Sequence, residues 1–411
     1  MADGAGDPLQ FLPFGLSSDQ AGLSGDSSDF DYVTRVTGGD FGDVFRTGDG
    51  NDVLNGGGGN DVLEGGRGIN TFDGGAGTNT LSYEHFDAPF FGGSYGMGID
   101  MASGTANDGK GDVVQDTFSN IANIRGSQYG DIIDGDVHNN VIEGGAGGDY
   151  LNGGDGIDTV SYAHSSAGVT VDLNSRHGSG GDAEGDDLAG FESVLGSTSD
   201  DVLTGNYEAN TLTGNGGSDE LYGRGGDDRL VIGSSPVRVQ GDEGTDLLFI
   251  TKDSTVELTD STFSSIEKVY VRDGASLIMT GVEAGTKIYS QSVDGSHSTI
   301  AGTDGADRIQ AGKGNDFIAG GHGADALFGG AGDDTFAFVS GDGRDVIRKF
   351  DVFHDKIDIG TLADDIHGVE IQSFHGEANT IITFTGETGH SDKIILLGVT
   401  AQSVTEGSFI F

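Results

Sequence analysis

Large apolar residues recur every nine positions along much of this chain, set in stretches that are otherwise polar or glycine. Windows beginning at Gly38, Thr47, Gly56, Gly65 and Gly74 read GGDFGDVFR, TGDGNDVLN, GGGGNDVLE, GGRGINTFD and GGAGTNTLS, so the eighth place holds Phe45, Leu54, Leu63, Phe72 and Leu81. The frame returns over 126–161 with Ile133, Ile142, Leu151 and Val160, over 196–249, and over 302–337 with Ile309, Ile318, Leu327 and Phe336. One inward side chain per nine residues fits neither a long amphipathic helix nor an ordinary alternating strand. It fits a glycine-rich turn of six residues followed by a three-residue strand whose central side chain points into a core. Two such units make one coil of a parallel roll, with strands stacked about 4.8 Å apart. Helix signals are scarce, so the expected fold is all-β: a parallel β-roll or β-helix solenoid of nonapeptide repeats.

The sixth place adds chemistry. It holds Asp43, Asp52, Asp61, Asn70 and Asn79 in the first array, then Asp131, Asn140, Asp149 and Asp158 in the second. The third has Asp201, Asn210, Asp219, Asp228, a degenerate window with Val237, and Asp246; the fourth has Asp307, Asp316, Asp325 and Asp334. Stacking brings repeats n and n+2 into register, so these carboxylates and the turn carbonyls converge. Like charges at that separation repel unless a cation lies among them. Calcium suits the set, since it takes six to eight oxygen ligands from carboxylates and backbone carbonyls in irregular geometry. The rule pairs Asp43 with Asp61, Asp131 with Asp149, Asp201 with Asp219, Asp228 with Asp246, Asp307 with Asp325, and Asp316 with Asp334. Mixed pairs, Asp52 with Asn70, Asp61 with Asn79, Asn140 with Asp158, and Asn210 with Asp228, are expected to bind more weakly, and Asp219 facing Val237 is expected to lack a site.

A longer unit overlies the short one. Each of the first three arrays is followed by a short strand, an apolar–acidic–apolar strand (Ile99-Asp100-Met101, Val171-Asp172-Leu173, Val256-Glu257-Leu258), a loop, and a strand led by Phe118, Phe191 or Phe263. These segments are expected to continue the solenoid as ion-free β coils, and residues 267–292 to be core rather than a partner-binding face. The division that results is an N-terminal cap or arm, 1–37, then array-plus-coil segments 38–125, 126–195 and 196–301. The fourth array, 302–337, and a C-terminal β cap, 338–411, complete it.

With 77 glycines, a net charge of −47 and only 34% hydrophobic residues, the composition alone would suggest disorder, and the repeat is what overrides it. So acidic a chain repels nucleic-acid phosphates and anionic lipid and attracts cations. Without cysteine there is neither a disulfide framework nor a thiolate metal site. The start, MADGAGDPLQFLPFGL, has no Sec-type signal pattern, and no apolar run is long enough for a transmembrane helix.

The nonapeptide resembles the RTX, or hemolysin-type, repeat, whose association with calcium is already known. The C-terminal stretch, with DTFAF, GDGRDVIRKFD, DKIDI and the terminal GSFIF, is similar to the domain that RTX proteins and serralysin-type proteases share and that carries their uncleaved export signal. The resemblance implies multiple Ca2+ ions, the type I secretion apparatus as a partner, and a destination outside, or on the surface of, a Gram-negative bacterium. In a low-calcium cytosol the acidic arrays stay unfolded; outside, calcium binding becomes folding free energy.

Catalytic constellations are weak. HExxH is absent, Glu84-His85 is a lone pair, and the ten histidines have no ligand spacing. One G-x-S-x-G, residues 92–96 with His85 and Asp87 nearby, lies in a glycine-rich loop rather than a strand–turn–helix. Aspartates recurring at eighteen residues read as ion sites before a glycosidase pair. In RTX enzymes the catalytic domain precedes the repeats, and 1–37, whose LQFLPFGL is expected to cap the first coil, is short for one. The expectation is a non-enzymatic, secreted protein with a structural, cell-surface or extracellular-matrix role, surface-layer or adhesin-like. It would act through self-assembly or cell-surface polysaccharide, with no nucleic-acid partner. The alternative is an extracellular polysaccharide-modifying enzyme or its calcium module, or a secreted calcium-binding effector.

Overall fold

A computed structural model describes residues 24–26, 34–86, 96–107, 116–376, 378–384 and 392–411. Strand takes 39% of the chain and helix 3%, the latter as isolated three-residue 3-10 turns, so the protein is all-β and winds as a parallel β-solenoid. It divides into two compact units, Met1–Thr204 and Gly205–Phe411. The expected cap LQFLPFGL and residues 92–95 of the G-x-S-x-G lie outside the described residues.

In the first unit the nonapeptides form three-residue strands that alternate between two sheets. Val44–Arg46, Val62–Glu64 and Thr80–Ser82 stack in parallel, with Phe45 opposite Leu63 and Leu63 opposite Leu81. Arg35–Thr37, Val53–Asn55 and Thr71–Asp73 form the other stack, with Val36, Leu54 and Phe72 in line. Repeat n therefore pairs with n+2. Leu54, Leu63, Phe72 and Leu81 are buried, and full burial of each such side chain contributes about 1.5–3 kcal/mol. Two glycine places make the turn possible for different reasons. Gly57 in the second place has φ 91°, where an L side chain is strained. Gly56 in the first place has no such φ, but a Cβ there would overlap Asp61 Oδ2 and come within 2.6 Å of the Gly74 carbonyl oxygen.

The inserts after the first two arrays carry the expected strands but thread backwards. Asp116–Ser119 lies parallel on the earlier strand Thr71–Asp73, whereas Gly98–Asp100 lies on the later strand Ile132–Asp134. Thr105–Asn107 runs antiparallel between them. The second insert repeats the plan: Asp187–Ala189 on Tyr150–Asn152, Thr170–Asp172 on Val202–Thr204, and His177–Ser179 antiparallel between. Those middle strands, TAN and HGS, are too short and polar to reveal themselves by apolar periodicity.

In the second unit, the strands within 267–292 turn Val269, Val271, Leu277 and Ile288 into the core and leave Lys268, Tyr270, Lys287 and Tyr289 on the outer side. The roll runs on past 337 through Arg344–Arg348 and Lys356–Asp358. Lys393–Leu397 and Phe409–Ile410 then lie parallel on those two strands. Asn379–Phe384 and Val369–Phe374 extend the edge antiparallel, which closes off unpaired backbone there. No helix among the described residues is long and apolar enough to cross a membrane.

Candidate metal centre

Every sixth-place aspartate and asparagine is buried, a costly position for a carboxylate unless something compensates it. One oxygen does the same work throughout. Oδ1 of repeat n+2 accepts the backbone N–H of the sixth-place residue of repeat n. It does so from Asp43 to Asp61 (2.7 Å), Asp52 to Asn70 (2.9 Å) and Asp61 to Asn79 (2.9 Å). It recurs from Asp131 to Asp149 (2.8 Å), Asn140 to Asp158 (2.7 Å), Asn210 to Asp228 and Asp228 to Asp246 (2.8 Å each). It recurs again from Asp307 to Asp325 (2.8 Å) and Asp316 to Asp334 (2.9 Å). The n/n+2 partners thus meet carboxylate to backbone rather than carboxylate to carboxylate. Val237 lies exposed where the partner of Asp219 would stand.

The second polar atom sorts the places into two kinds. In Asp52, Asp61, Asp149, Asp158, Asp228, Asp246 and Asp325, Oδ2 is buried and has no hydrogen-bond partner. At most of the other places a hydrogen bond holds the side chain. Asp131, Asp201 and Asp307, the first aspartates of their arrays, accept both the backbone N–H and the hydroxyl of Ser127, Ser197 and Thr303. Asp43 Oδ2 takes Gly39 N–H at 2.9 Å, and Asp316 Oδ2 takes Gly312 N–H and the Ser292 hydroxyl. At Asn79 and Asn140 the amide Nδ2 donates to the carbonyls of Asn120 (3.0 Å) and Ala122 (2.9 Å), and at Asn70 to Gly66 at 3.4 Å. Asn210 Oδ1 takes Asn206 N–H at 2.7 Å. Asp334 Oδ2, like Asp219 Oδ2, stands where a Cβ on the first-place glycine would be, at Gly329 and Gly214.

Burial, with neighbouring charge added, makes several of these carboxyls hard to ionise. Asp149 is pushed up to about 9 by burial and by Asp186, and Asp325 to about 8 by burial and by Asp345. Asp228 and Asp334 rise to about 7 for the same reasons, through Asp246 and Asp355. A divalent ion against the orphaned oxygens would remove that cost.

The ladder also runs where the sequence frame does not. Asp116 accepts the N–H of Asn70, Asp186 that of Asp149, Glu192 that of Asp158, and Glu267 that of Asp246. Asp345 and Asp355 follow Asp325 and Asp334. Sequence reading missed all six. Their signal is an acid two residues before the inward apolar residue, as in the sixth and eighth places: Asp116 before Phe118, Asp186 before Leu188, Glu192 before Val194. In the second insert the strand is therefore centred on Val194, not led by Phe191. Asp116 and Asp186 need no cation at the other oxygen, because the buried hydroxyls of Tyr83 and Tyr162 donate to it at 3.0 and 2.8 Å. Two histidines are also placed: His85 and His164 each lie against a buried glutamate, Glu64 at 3.1 Å and Glu143 at 2.9 Å.

Among the described residues no three acidic or histidine side chains gather into a metal-binding group. At Asp61, Asp158, Asp228 and Asp246 the orphaned carboxylate oxygen lies beside a turn carbonyl, in a space that a Cβ on the first-place glycine would fill. At Asp228 the space is bounded by Gly223 and the Gly241 carbonyl, and at Asp246 by Gly241 and the Ser265 carbonyl. An all-oxygen donor set rich in carbonyls fits calcium and not a nitrogen- or sulfur-seeking metal.

Such a fold and donor set define a metal-stabilised parallel β-roll. The family model for the RTX calcium-binding nonapeptide repeat (4 copies) matches residues 37–72, 61–83, 125–160, 195–230 and 301–336. The matched arrays are RTX calcium-binding nonapeptide repeats, and such repeats bind Ca2+ at multiple sites. The matched repeats are a non-catalytic calcium-binding module, and proteins that carry them are typically secreted. Among solved structures, an extracellular lipase, LipA, from Serratia marcescens is similar at 16% identity with a TM-score of 0.20, over 92% of this chain and 40% of the lipase chain. The chain thus spans well under half the length of that lipase. No curated protein matches the chain.

Proposed function

We propose that this is a secreted protein whose calcium-filled rolls serve a structural role at the cell surface or in the extracellular matrix, as a surface-layer or adhesin-like component. The observation that carries the calcium part is the recurrence of one buried, unpartnered carboxylate oxygen at Asp52, Asp61, Asp149, Asp158, Asp228, Asp246 and Asp325. These seven, with turn carbonyls, are the proposed principal ligands. Asp219 and Asp334 are candidates of the same pose, and the remaining sixth-place residues hold their rungs by hydrogen bonds. Calcium supplies the positive charge that lets those carboxylates stay buried and ionised. The chain's own residues set the spacing of the rungs, keep water from the core and present the carbonyls.

Residues 338–411 are proposed to cap the roll and to carry the type I export signal. Export unfolded and folding on calcium outside follow from the same electrostatics. The structural role is supported by solenoid faces that suit lateral assembly. The test is circular dichroism and electron microscopy of the full chain with calcium and with chelator. Calcium is expected to restore β structure and ordered assemblies. Unchanged spectra in chelator would overturn the calcium reading; folded, dispersed monomers with polysaccharide-processing activity would overturn the structural one.

A further inference from the structure

The second unit carries an outward face unlike the rest of this acidic chain. Along one sheet the register places Arg229, Leu247, Lys268, Lys287 and Arg308 in one line. Two residues further along each strand, on the same face, run Phe249, Tyr270, Tyr289, Gln310, Phe328 and Arg348. Lys287, Arg272, Arg308 and Arg348 are exposed, and Lys268 and Arg229 half-buried. Among the described residues none of these six cations is in an ion pair. The neighbouring acids are engaged elsewhere: Glu267 accepts the N–H of Asp246, and Asp273 pairs with Lys252 at 3.6 Å. In the first unit, by contrast, Arg46 pairs with Glu64 (3.6 Å) and Arg125 with Glu84 and Glu143 (2.8 and 3.5 Å).

The aromatic line gives the face its rigidity. Phe249 stacks on Tyr270 at 4.8 Å and Tyr270 on Tyr289 at 5.4 Å, near-parallel at 9° and 23°. The Arg229 guanidinium lies 3.5 Å from the centre of the Phe249 ring, and Arg308 4.7 Å from that of Phe328. Since the ring faces are spent on each other, the ridge meets a partner with ring edges, tyrosine hydroxyls and the flanking cations.

We infer that this face binds a linear acidic polysaccharide, a polymer of uronic-acid residues. Cations recur along rungs about 4.8 Å apart, which matches a chain with one carboxylate per sugar and lets several weak contacts act together. Tyr270, Tyr289 and Gln310 are placed to hydrogen-bond sugar hydroxyls. Nucleic acid fits less well: stacked rings leave no platform for bases, and its denser phosphates meet the chain's overall charge of −47. The inference goes beyond the calcium reading and needs only a folded second unit.

The test uses the calcium-loaded full chain, titrated calorimetrically with an oligogalacturonate and with its carboxyl-reduced, neutral counterpart. Binding is expected for the acidic oligosaccharide only, and weaker as salt is raised. The double variant Lys287→Glu/Arg308→Glu is expected to lose about tenfold or more in affinity, while Lys313→Glu, in a turn, leaves it unchanged. Circular dichroism of both variants with and without calcium separates a failed face from a failed fold. No binding by the folded wild type, equal behaviour of the two variants, or equal competition by double-stranded DNA would overturn the inference.

Discussion

The hydroxyl of Tyr83 donates to Asp116 Oδ2 at 3.0 Å, completing a buried carboxylate whose other oxygen accepts the N–H of Asn70. Tyr162 and Asp186 repeat the arrangement. A tyrosine hydroxyl therefore stands at the oxygen that the arrays leave without a partner. Tyr162→Phe, which deletes only that hydroxyl, is expected to cost about 1–3 kcal/mol, the penalty of stranding a buried acceptor. Thermal melting of the calcium-loaded protein reads it; an unchanged melting temperature would show that the bond contributes nothing.

Two kinds of sixth-place residue should answer differently to truncation. Asp228→Ala removes an orphaned oxygen and is expected to lower both the number of bound calcium ions and the steepness of calcium-induced folding. Asn70→Ala removes an amide whose Nδ2 already donates to Gly66, so its effect should appear in stability and not in stoichiometry. Equilibrium dialysis counts the ions, and equal losses in the two variants would contradict the assignment.

Protons can substitute for the cation. Folding raises Asp149 to about 9, Asp325 to about 8, and Asp228 and Asp334 to about 7, all chiefly by burial. A carboxyl raised on folding binds its proton more tightly in the folded state, so this stabilisation is full below the unfolded value of about 4 and is lost as pH rises through those folded values. The chelated chain should hence be more structured near pH 5 than near pH 8, and calcium should become progressively necessary between them. Dichroism of the chelated protein across that range is the measurement, and a rise in structure with pH would refute it.

Gly56, in a first place, is held by space alone. Gly56→Ala would drive a methyl into Asp61 Oδ2 and the Gly74 carbonyl, whereas a Cβ at Gly39 meets nothing within 4 Å. Gly56→Ala is expected to abolish calcium-induced ordering of the first array. Gly39→Ala should stay within about 0.5 kcal/mol of the parent, as surface substitutions do. Calcium titrations followed by dichroism compare them directly.

The period of nine was enough to place Leu54, Leu63 and their successors in the core and Asp61 two repeats from Asn79, because each unit repeats the same local geometry. Inserts broke that legibility. Asp116 and Glu267 occupy the same rung position as Asp61, yet loops of unequal length precede them, so no fixed interval announces them. The antiparallel strands Thr105–Asn107 and His177–Ser179 had too little apolar pattern to be read.

The sequence by itself determined the all-β class, the stacking of alternate repeats, and the burial of aspartate among glycine carbonyls, since all three follow from short-range periodicity. Only the tertiary structure decided which of those aspartates keep an unpartnered oxygen and which are completed by a serine, a threonine, an amide or a distant tyrosine. It also decided that cations scattered between Arg229 and Arg348 share one face with a stack of rings. The reason is the same in both cases: partners separated by tens of residues meet only when coils of unequal length are wound into register.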